Sequence, residues 1–305
     1  MKLEYTPRWP HFTFGGAPNP DLEDSSVAIV PVPYDSTASY RPGSRMGPEA
    51  IIDASRNMEL FDMETGSSPI EVGIHTMTGV EPSRGSPEET IRRIRNVVDE
   101  VLSDGKFPVL LGGEHTVSLG GVGAAVGHAG ELGVLVLDAH CDMRDEYEGS
   151  RYSHACTNRR ISEMVKNMVV AGVRSCSHEE WELIQRDNLN FYQWPEGNRE
   201  KGLRNMQAAL DLVIETGGNW YLSIDLDVLS PSEMPGVSTP EPSGPLYDDL
   251  LPFLKKFIRR VNLIGMDVVE LTPVEGDVRS QFMATKLIYK ILAYAFGSQE
   301  RSPDS

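Results

Sequence analysis

The sequence predicts an α/β fold with three layers, α-β-α, in which helices cover both faces of a mostly parallel sheet. Two observations lead to this prediction. Short apolar runs, rich in β-branched residues, alternate with longer amphipathic segments along most of the 305 residues, and this alternation is typical of parallel strands joined by helices. The short runs are apolar almost throughout rather than at every second position, as expected for strands that are buried on both faces.

Six apolar runs predict strands and three longer segments predict helices. The predicted strands are residues 26–32, 107–111, 132–138, 169–172, 220–225 and 263–268, and the predicted helices are residues 86–104, 246–261 and 278–296. The first helix begins with Ser86 as a cap and Pro87 after it, and its apolar residues recur on one helical face.

The chain contains no internal repeat, low-complexity tract or linker that would divide it. We therefore expect residues 1–305 to form a single domain. About the first 20 residues are expected to be an N-terminal extension, and residues 299–305 a frayed tail.

Charge and hydrophobicity exclude several classes of function. The formal net charge of −17 argues against binding to nucleic acid, which requires a surface rich in Lys and Arg. The first residues lack the charged and apolar regions of a signal peptide, and no apolar run approaches the roughly 20 residues that cross a bilayer. These features predict a soluble, cytoplasmic protein without a membrane partner.

The three cysteines contain no CxxC pair, so they predict neither a disulfide framework nor a structural zinc site. We expect Cys141 to point into the core, away from its sequence neighbours. Cys156 and Cys176 are expected to be small core residues.

Acidic residues and histidines follow three of the predicted strands, where ligands bind in parallel sheets. They are Asp138, His140 and Asp142 in VLVLDAHCD, Asp225 and Asp227 in WYLSIDLDVLSP, and His115 in VLLGGEHTVSLGG. An extended backbone would aim the first three side chains to one side, because they are two residues apart.

Taken singly, a DxD pair or one histidine is more often a turn cap or a loop residue. The three segments together predict a metal site, since buried strands rarely end in charged groups unless a ligand offsets their desolvation. Histidines and aspartates without thiolates suit Mn²⁺ better than structural zinc, with Fe, Co and Ni as alternatives. Four carboxylates carry a charge of about −4, which two divalent ions balance, so the set predicts a binuclear centre.

The same segments resemble the signatures of the ureohydrolases, the family of arginases and agmatinases. The matching stretches are LGGEHTVSLGG at 111–121, VLVLDAHCD at 134–142 and SIDLDVLSPSEMPGVSTPEPSG at 223–244, and the resemblance extends from about Arg41 to Glu270. It implies the arginase-type fold, two Mn²⁺ ions per subunit and a homo-oligomer, either a trimer or a hexamer.

The resemblance further implies which side chains hold each ion, two aspartates bridging both. One ion would be held by His115, Asp138, Asp142 and Asp225, and the other by Asp138, His140, Asp225 and Asp227.

Three residues receive catalytic roles from the resemblance. Asp142 would orient or deprotonate the nucleophile, and His154 in YSHACTNRR would pass a proton to the departing amine. Glu270 in GMDVVELTP would hold the substrate guanidinium through two parallel hydrogen bonds, with His154 close to the same substrate.

The segments 39–51 and 145–160 resemble the agmatinase branch. Asp145, Glu146 and Glu148 occupy a loop that is rich in Asn and Ser in arginases, so Asp145 is expected near an amine-ended substrate tail. Alternatively, these acids simply face water. The leading hypothesis is hydrolysis of agmatine to putrescine and urea. The alternatives are N(1)-aminopropylagmatine, which would give spermidine and urea, and guanidinobutyrate or arginine, whose carboxylate tails fit less well.

Two hypotheses from other classes compete with this one. A metal-dependent binding protein without catalysis does not require His154 and Glu270, and a deacetylase of the same fold predicts a His-His pair that the sequence lacks. Ser230 and the pair Ile52-Asp53 depart from the family pattern, which bears on oligomer contacts and substrate details rather than on the metal ligands.

Overall fold

The computed structural model describes residues 12–297. Its strands are β1 Val27–Val32, β2 Ile74–Thr76, β3 Phe107–Gly112, β4 Leu132–Leu137, β5 Asn167–Val173, β6 Asn190–Gln193, β7 Asn219–Asp225 and β8 Asn262–Val269. They form one sheet in the order β2-β1-β3-β8-β7-β4-β5-β6, and each neighbouring pair is parallel. The predicted parallel sheet is confirmed.

The helices are α1 Gly47–Ser55, α2 Pro87–Ser103, α3 Ser118–Ala129, α4 Thr157–Met164, α5 His178–Arg186, α6 Arg199–Thr216, α7 Tyr247–Arg260 and α8 Arg279–Phe296. Helices α1, α6, α7 and α8 contribute to one buried apolar cluster, and α2 to α5 contribute to two clusters on the other face. In β4, Leu135 and Leu137 belong to the first cluster and Val134 and Val136 to the opposite side. This alternation confirms the three-layer architecture.

The three predicted helices and six predicted strands are present, with ends that differ by a few residues. At the start of α2, the Ser86 hydroxyl accepts a hydrogen bond from the Glu89 amide at 3.2 Å, as the capping pattern predicts. Strands β2 and β6, which form the two edges of the sheet, were not predicted. The first has three residues and the second is largely exposed, so neither carries a continuous apolar run.

Part of the predicted N-terminal extension packs on the sheet edge. The Asn19 side chain accepts from the Thr76 amide at 2.7 Å and donates to the Thr76 carbonyl at 3.0 Å, and Phe14 is buried. The remainder of this extension and the predicted tail at 299–305 lie outside the described residues. Among the helices at 12–297, none has both the length and the apolar character needed to cross a membrane.

The order of the central strands positions the residues of interest. Strands β3, β8, β7 and β4 are consecutive in the sheet, and parallel pairing places their carboxyl ends at the same edge. Leu137 pairs with Ile224, and Ile224 pairs with Val268. The residues that follow Leu137 and Ile224 are Asp138 and Asp225, which therefore lie side by side.

Candidate active site

Aspartates and histidines from three strand ends form two groups, each compact enough to hold a metal ion. The first is His115, Asp138 and Asp142, and the second is Asp138, His140 and Asp227, with ligand atoms within 4.8 Å of one another in each group. Asp138 belongs to both groups. Asp225 approaches the first, since its Oδ2 lies 3.5 Å from His115 Nδ1. The structure thus brings together all six side chains that the sequence singled out.

Each histidine presents its Nδ1 atom to the carboxylates. His115 Nδ1 lies 3.0 Å from Asp142 Oδ2 and 3.3 Å from Asp138 Oδ2. His140 Nδ1 lies 2.9 Å from Asp227 Oδ2 and 3.7 Å from Asp138 Oδ1. The Nδ1 atoms of His115 and His140 therefore face two neighbouring points in space, and Asp138 lies between these points.

The backbone that carries Asp138, His140 and Asp142 is not extended throughout, so that expectation was wrong. Strand β4 ends at Leu137, and Asp142 has a φ of 49°, in the left-handed region that non-glycine residues seldom adopt. The Asn158 side chain donates to the Cys141 carbonyl at 3.0 Å and stabilises this turn. Because the chain turns there, Asp142 faces His115 rather than continuing the line of the strand.

Burial and mutual repulsion perturb the carboxylates strongly. Burial, followed by the charge of Asp138, raises the pKa of Asp142 to about 7. Burial and the neighbouring Asp227 raise the pKa of Asp225 well above its usual value. Burial acts on Asp227 in the same direction, but the adjacent His140 outweighs it and holds the pKa of Asp227 at about 2.

The raised pKa values of Asp142 and Asp225 indicate that negative charge is crowded in this cluster, and divalent cations would offset it. Asp138 Oδ2 is buried and accepts no hydrogen bond in the structure. An unpaired carboxylate oxygen in a dry site is costly unless a ligand contacts it. The donor set of carboxylate oxygens and imidazole nitrogens, together with this unpartnered atom, fits metal binding.

Behind His115 lies a buried chain of hydrogen bonds that the sequence analysis missed. His115 Nε2 is 3.1 Å from Ser223 Oγ, and Ser223 donates to Asp267 Oδ1 at 2.7 Å. Because the serine proton points to Asp267, the serine oxygen accepts from Nε2–H, which leaves Nδ1 free to bind a metal ion. Two features of the sequence could have indicated this chain of hydrogen bonds. The polar residue Ser223 lies two positions before Asp225, and the acidic residue Asp267 lies within the apolar run of β8.

Glu270 and His154 lie beside the His115 group. The backbone of Glu270 has a φ of 67°, and its Oε1 atom accepts from the His115 amide at 2.7 Å. Glu270 Oε2 is buried and makes no hydrogen bond within 3.5 Å. Burial raises the pKa of Glu270 to about 7, although the nearby Ser238 hydroxyl acts to lower it. His154 Nδ1 lies 3.9 Å from Glu270 Oε1. Burial, followed by the charge of His140, lowers the pKa of His154 to about 4.

A loop after β1 positions His154. Glu114, fully buried, accepts from the Thr37 amide and from the Thr37 hydroxyl, each at 2.7 Å. The Thr37 hydroxyl oxygen accepts from the His154 amide at 2.9 Å, and His154 Nε2 lies 3.0 Å from Ser39 Oγ. Burial raises the pKa of Glu114 to about 8. The sequence analysis assigned no role to Glu114, which lies next to His115.

Asp145 is not among the residues that line the cavity beside this cluster, and its expected contact with a substrate tail stays a prediction. Its carboxylate pairs with Arg160 at 2.6 Å and with Arg151 at 3.0 Å, and these bonds lower its pKa. The two guanidinium groups neutralise the charge that was expected to attract an amine.

The cavity beside the cluster is narrow and polar. Its volume of about 260 Å³ is at the small end of ligand cavities. Asp142, His154 and Asp225 line it, together with Arg144, Tyr147 and Glu180.

The cysteines also differ from expectation. Cys141 and Cys156 are buried as predicted, but Cys176 is exposed. A hydrogen bond from the Cys141 thiol lowers the pKa of Cys176.

Similarity to known proteins agrees with this geometry. The family model described as "Arginase family" matches residues 25–294. The N(1)-aminopropylagmatine ureohydrolase of Synechocystis sp. is 35% identical over 284 residues, which cover 91% of this chain and 92% of that protein. The protein of the same name from Thermus thermophilus is 38% identical over 275 residues, which cover 90% of this chain and 92% of that protein.

Among solved structures, that of the agmatine ureohydrolase of Thermoplasma volcanium superposes with a TM-score of 0.83 and 28% sequence identity, and the match covers 96% of this chain and 95% of that one. The predicted arginase-type fold and the resemblance to ureohydrolases are both confirmed. The family match spans most of the sequence, and two relatives exceed 30% identity over nine-tenths of it. This chain belongs to the Arginase family.

Proposed function

We propose that this protein is a metal-dependent hydrolase that cleaves a C–N bond of a guanidinium group and releases urea. The observation that supports this most directly is the position of two Asp/His groups, joined at Asp138, next to the Glu270 carboxylate and the His154 imidazole. Relatives named ureohydrolases support the same reaction.

Two divalent cations, which we propose to be Mn²⁺, would occupy the cluster. One would be held by His115, Asp138, Asp142 and Asp225, and the other by Asp138, His140, Asp225 and Asp227. When bound, such ions polarise the substrate and make water a stronger acid. Hard oxygen donors with two imidazole nitrogens suit Mn²⁺.

Glu270 would bind the guanidinium. Its Oε1 atom is engaged by the His115 amide, whereas Oε2 is buried without a partner and is available for an N–H donor of the substrate. A charge-assisted hydrogen bond there would hold the guanidinium carbon against the metal cluster. Asp142 would orient the attacking water and accept its proton.

His154 would return a proton to the departing amine. Burial keeps its imidazole neutral near pH 7, since its pKa is lowered to about 4. Its Nε2 atom contacts Ser39, an exposed residue of the cavity wall, at 3.0 Å. A proton can therefore pass from solvent through the Ser39 hydroxyl to the imidazole and then to the leaving nitrogen.

Three residues that line the cavity, Arg144, Tyr147 and Glu180, would influence which substrate tail is favoured. Arg144 Nε lies 3.9 Å from Glu180 Oε2, and the Arg144 guanidinium lies over the Tyr147 ring at 4.8 Å from its centre. Because Glu180 offsets part of the charge of Arg144, this wall favours a carboxylate tail less than a lone arginine would. The relatives from Synechocystis and Thermus support N(1)-aminopropylagmatine as the first candidate substrate, and the Thermoplasma enzyme supports agmatine as the second.

The test is urea release from N(1)-aminopropylagmatine, agmatine, guanidinobutyrate and arginine by the Mn²⁺-loaded protein. We expect urea from at least one of the two amine-ended substrates and a lower kcat/KM for the two with carboxylate tails. Glu270→Gln should lose most of the activity while it retains bound metal, because the neutral amide has one acceptor oxygen and cannot form an ion pair with the guanidinium. No urea from any of the four would overturn the proposed function.

We further propose that residues 1–305 form one domain, that the protein is cytoplasmic, and that it assembles as a trimer or a hexamer. Analytical ultracentrifugation of the full chain tests the assembly.

A further inference from the structure

Two cysteines face each other at the wall of the metal-site cavity. His140 and Ser175 are paired in parallel register, so the next residues along the two segments, Cys141 and Cys176, lie opposite each other. Neither cysteine is in a disulfide, and both side chains line the same cavity. Neighbouring parallel segments are about 4.8 Å apart, which lies within the Cα separations of roughly 4.4–6.8 Å that disulfides span.

The two thiols differ in access to solvent. Cys141 is 1% exposed, whereas Cys176 is exposed, and both line the cavity that contains His140 and Asp142. A small oxidant that enters the cavity therefore meets Cys176 first, and the buried Cys141 lies on the paired segment beside it. This arrangement of an accessible thiol beside a second, resolving thiol is typical of reversibly oxidised pairs.

We propose that Cys141 and Cys176 are a redox modification site, which closes to a disulfide on reaction with a peroxide and reopens with a thiol reductant. In the first step the Cys176 thiol reduces one molecule of hydrogen peroxide, giving a sulfenic acid and one water. In the second step the Cys141 sulfur attacks the Cys176 sulfur, the S–O bond breaks, and the departing hydroxide leaves with the thiol proton as a second water.

Closure of this disulfide would disturb the metal ligands. Cys141 lies directly between His140 and Asp142. An S–S bond of about 2.05 Å is much shorter than the contact between two free thiols, so we expect oxidation to pull the backbone of both proposed ligands toward Cys176. We expect weaker metal binding and lower activity in the oxidised protein. The effect on activity, unlike disulfide formation itself, rests on the proposed function.

Cys156 provides a matched control. It is buried, and its thiol donates to the Ser150 carbonyl at a sulfur–oxygen distance of 3.7 Å. It is the one other cysteine of the sequence, and it does not line the cavity that contains Cys141 and Cys176. Cys156→Ser should therefore leave the proposed pair intact.

The experiment treats the metal-loaded full-length protein with hydrogen peroxide, blocks free thiols and identifies tryptic peptides by mass spectrometry. We expect peptides 107–144 and 175–186 to be joined with the loss of two hydrogens, and dithiothreitol to separate them. Cys156→Ser should retain this cross-link, while Cys141→Ser and Cys176→Ser should lose it. A wild-type chain that accumulates only oxygenated Cys176, or cross-links only between subunits, would overturn the proposal.

A second arm measures bound metal and urea release before and after oxidation. We expect a loss of several-fold in both quantities, restored by dithiothreitol, in the wild type and in Cys156→Ser. Cys176→Ser, whose substitution is at an exposed position, should be insensitive to the same peroxide dose relative to its own untreated rate. If the cross-link forms but bound metal does not change, the coupling to the ligands is wrong. If no guanidino substrate is cleaved even under reducing conditions, the proposed function fails while the cross-link result still stands.

Discussion

The two histidines of the proposed metal site are supported in different ways. His115 is fully buried, and behind it Ser223 and Asp267, both fully buried, form a hydrogen-bonded chain. The His140 side chain is 23% exposed, and its Nε2 atom faces Glu241, which is 28% exposed, at 3.4 Å. A hydrogen bond to a carboxylate orients an imidazole more firmly where water cannot compete for it. One side of the cluster is therefore held by the core and the other by groups that water and salt can reach.

The largest effect is expected from the residue that the two sides share. Asp138→Ala removes a ligand from both groups at once, so we expect loss of both metal ions and a fall in activity beyond the roughly 100-fold that removal of an outer partner causes. Elemental analysis of the purified variant measures the bound metal. Glu146→Ala, which deletes an exposed carboxylate of the nearby loop, is the control and should retain it. Full metal content in Asp138→Ala would refute the ligand assignment.

Ser223→Ala tests the buried support of His115. Without the hydroxyl, the His115 ring loses its Nε2 acceptor, and Asp267 retains fewer partners in a dry environment. We expect metal affinity to fall by about 10- to 100-fold, with little dependence on salt. Metal titration by calorimetry measures this change. An unchanged dissociation constant would show that the serine only fills space.

Glu241→Gln tests the partly exposed interaction between Glu241 and His140 Nε2. The interaction is accessible to water, so we expect metal affinity to fall by less than about tenfold, and the loss to shrink as ionic strength rises. The measurement is the same titration at two salt concentrations. The comparison between the two sides fails if this variant weakens binding more than Ser223→Ala does.

The smallest effect concerns an ion-pair cluster far from the cavity. Lys290 lies 2.7 Å from Asp62 and 2.8 Å from Glu64. Burial raises the pKa of each acid, but the hydrogen bonds, from Lys290 to Asp62 and from Lys255 and Lys290 to Glu64, more than offset it, and the pKa of Glu64 falls to about 2.

A carboxylate with a depressed pKa contributes stability that is complete above its unfolded-state pKa and is lost as pH falls through the folded value. For Glu64 this window runs from about 4.5 to about 2. Lys290→Met should therefore reduce the loss of unfolding free energy that the metal-free protein shows between pH 5 and pH 3. We expect this reduction to be less than about 1 kcal/mol, because solvent screens the ion pair. Urea denaturation at both pH values measures it. An equal pH dependence in both proteins would contradict the expected contribution.

The sequence predicted the parts of the fold and site that depend on local patterns. Buried strands are recognisable because their apolar runs are continuous, and the charged residues that follow them stand out because desolvating charge is costly. Edge strands β2 and β6 lack that signal. Asp145 shows what charge alone does not predict. Its negative charge is evident from the sequence, but its ion pairs with Arg151 and Arg160 are evident only from the structure.

The sequence by itself determined the chemical types of the proposed metal ligands and their position after β3, β4 and β7, because strand periodicity and the chemistry of side chains are local properties. Only the tertiary structure decided what stands behind and beside those ligands. Ser223 contacts Asp267, which lies 44 residues further along the chain, because β7 pairs with β8. Cys141 lies opposite Cys176 because the segments that follow β4 and β5 remain paired. Such contacts follow from strand order and register, which the spacing of residues along the chain does not encode.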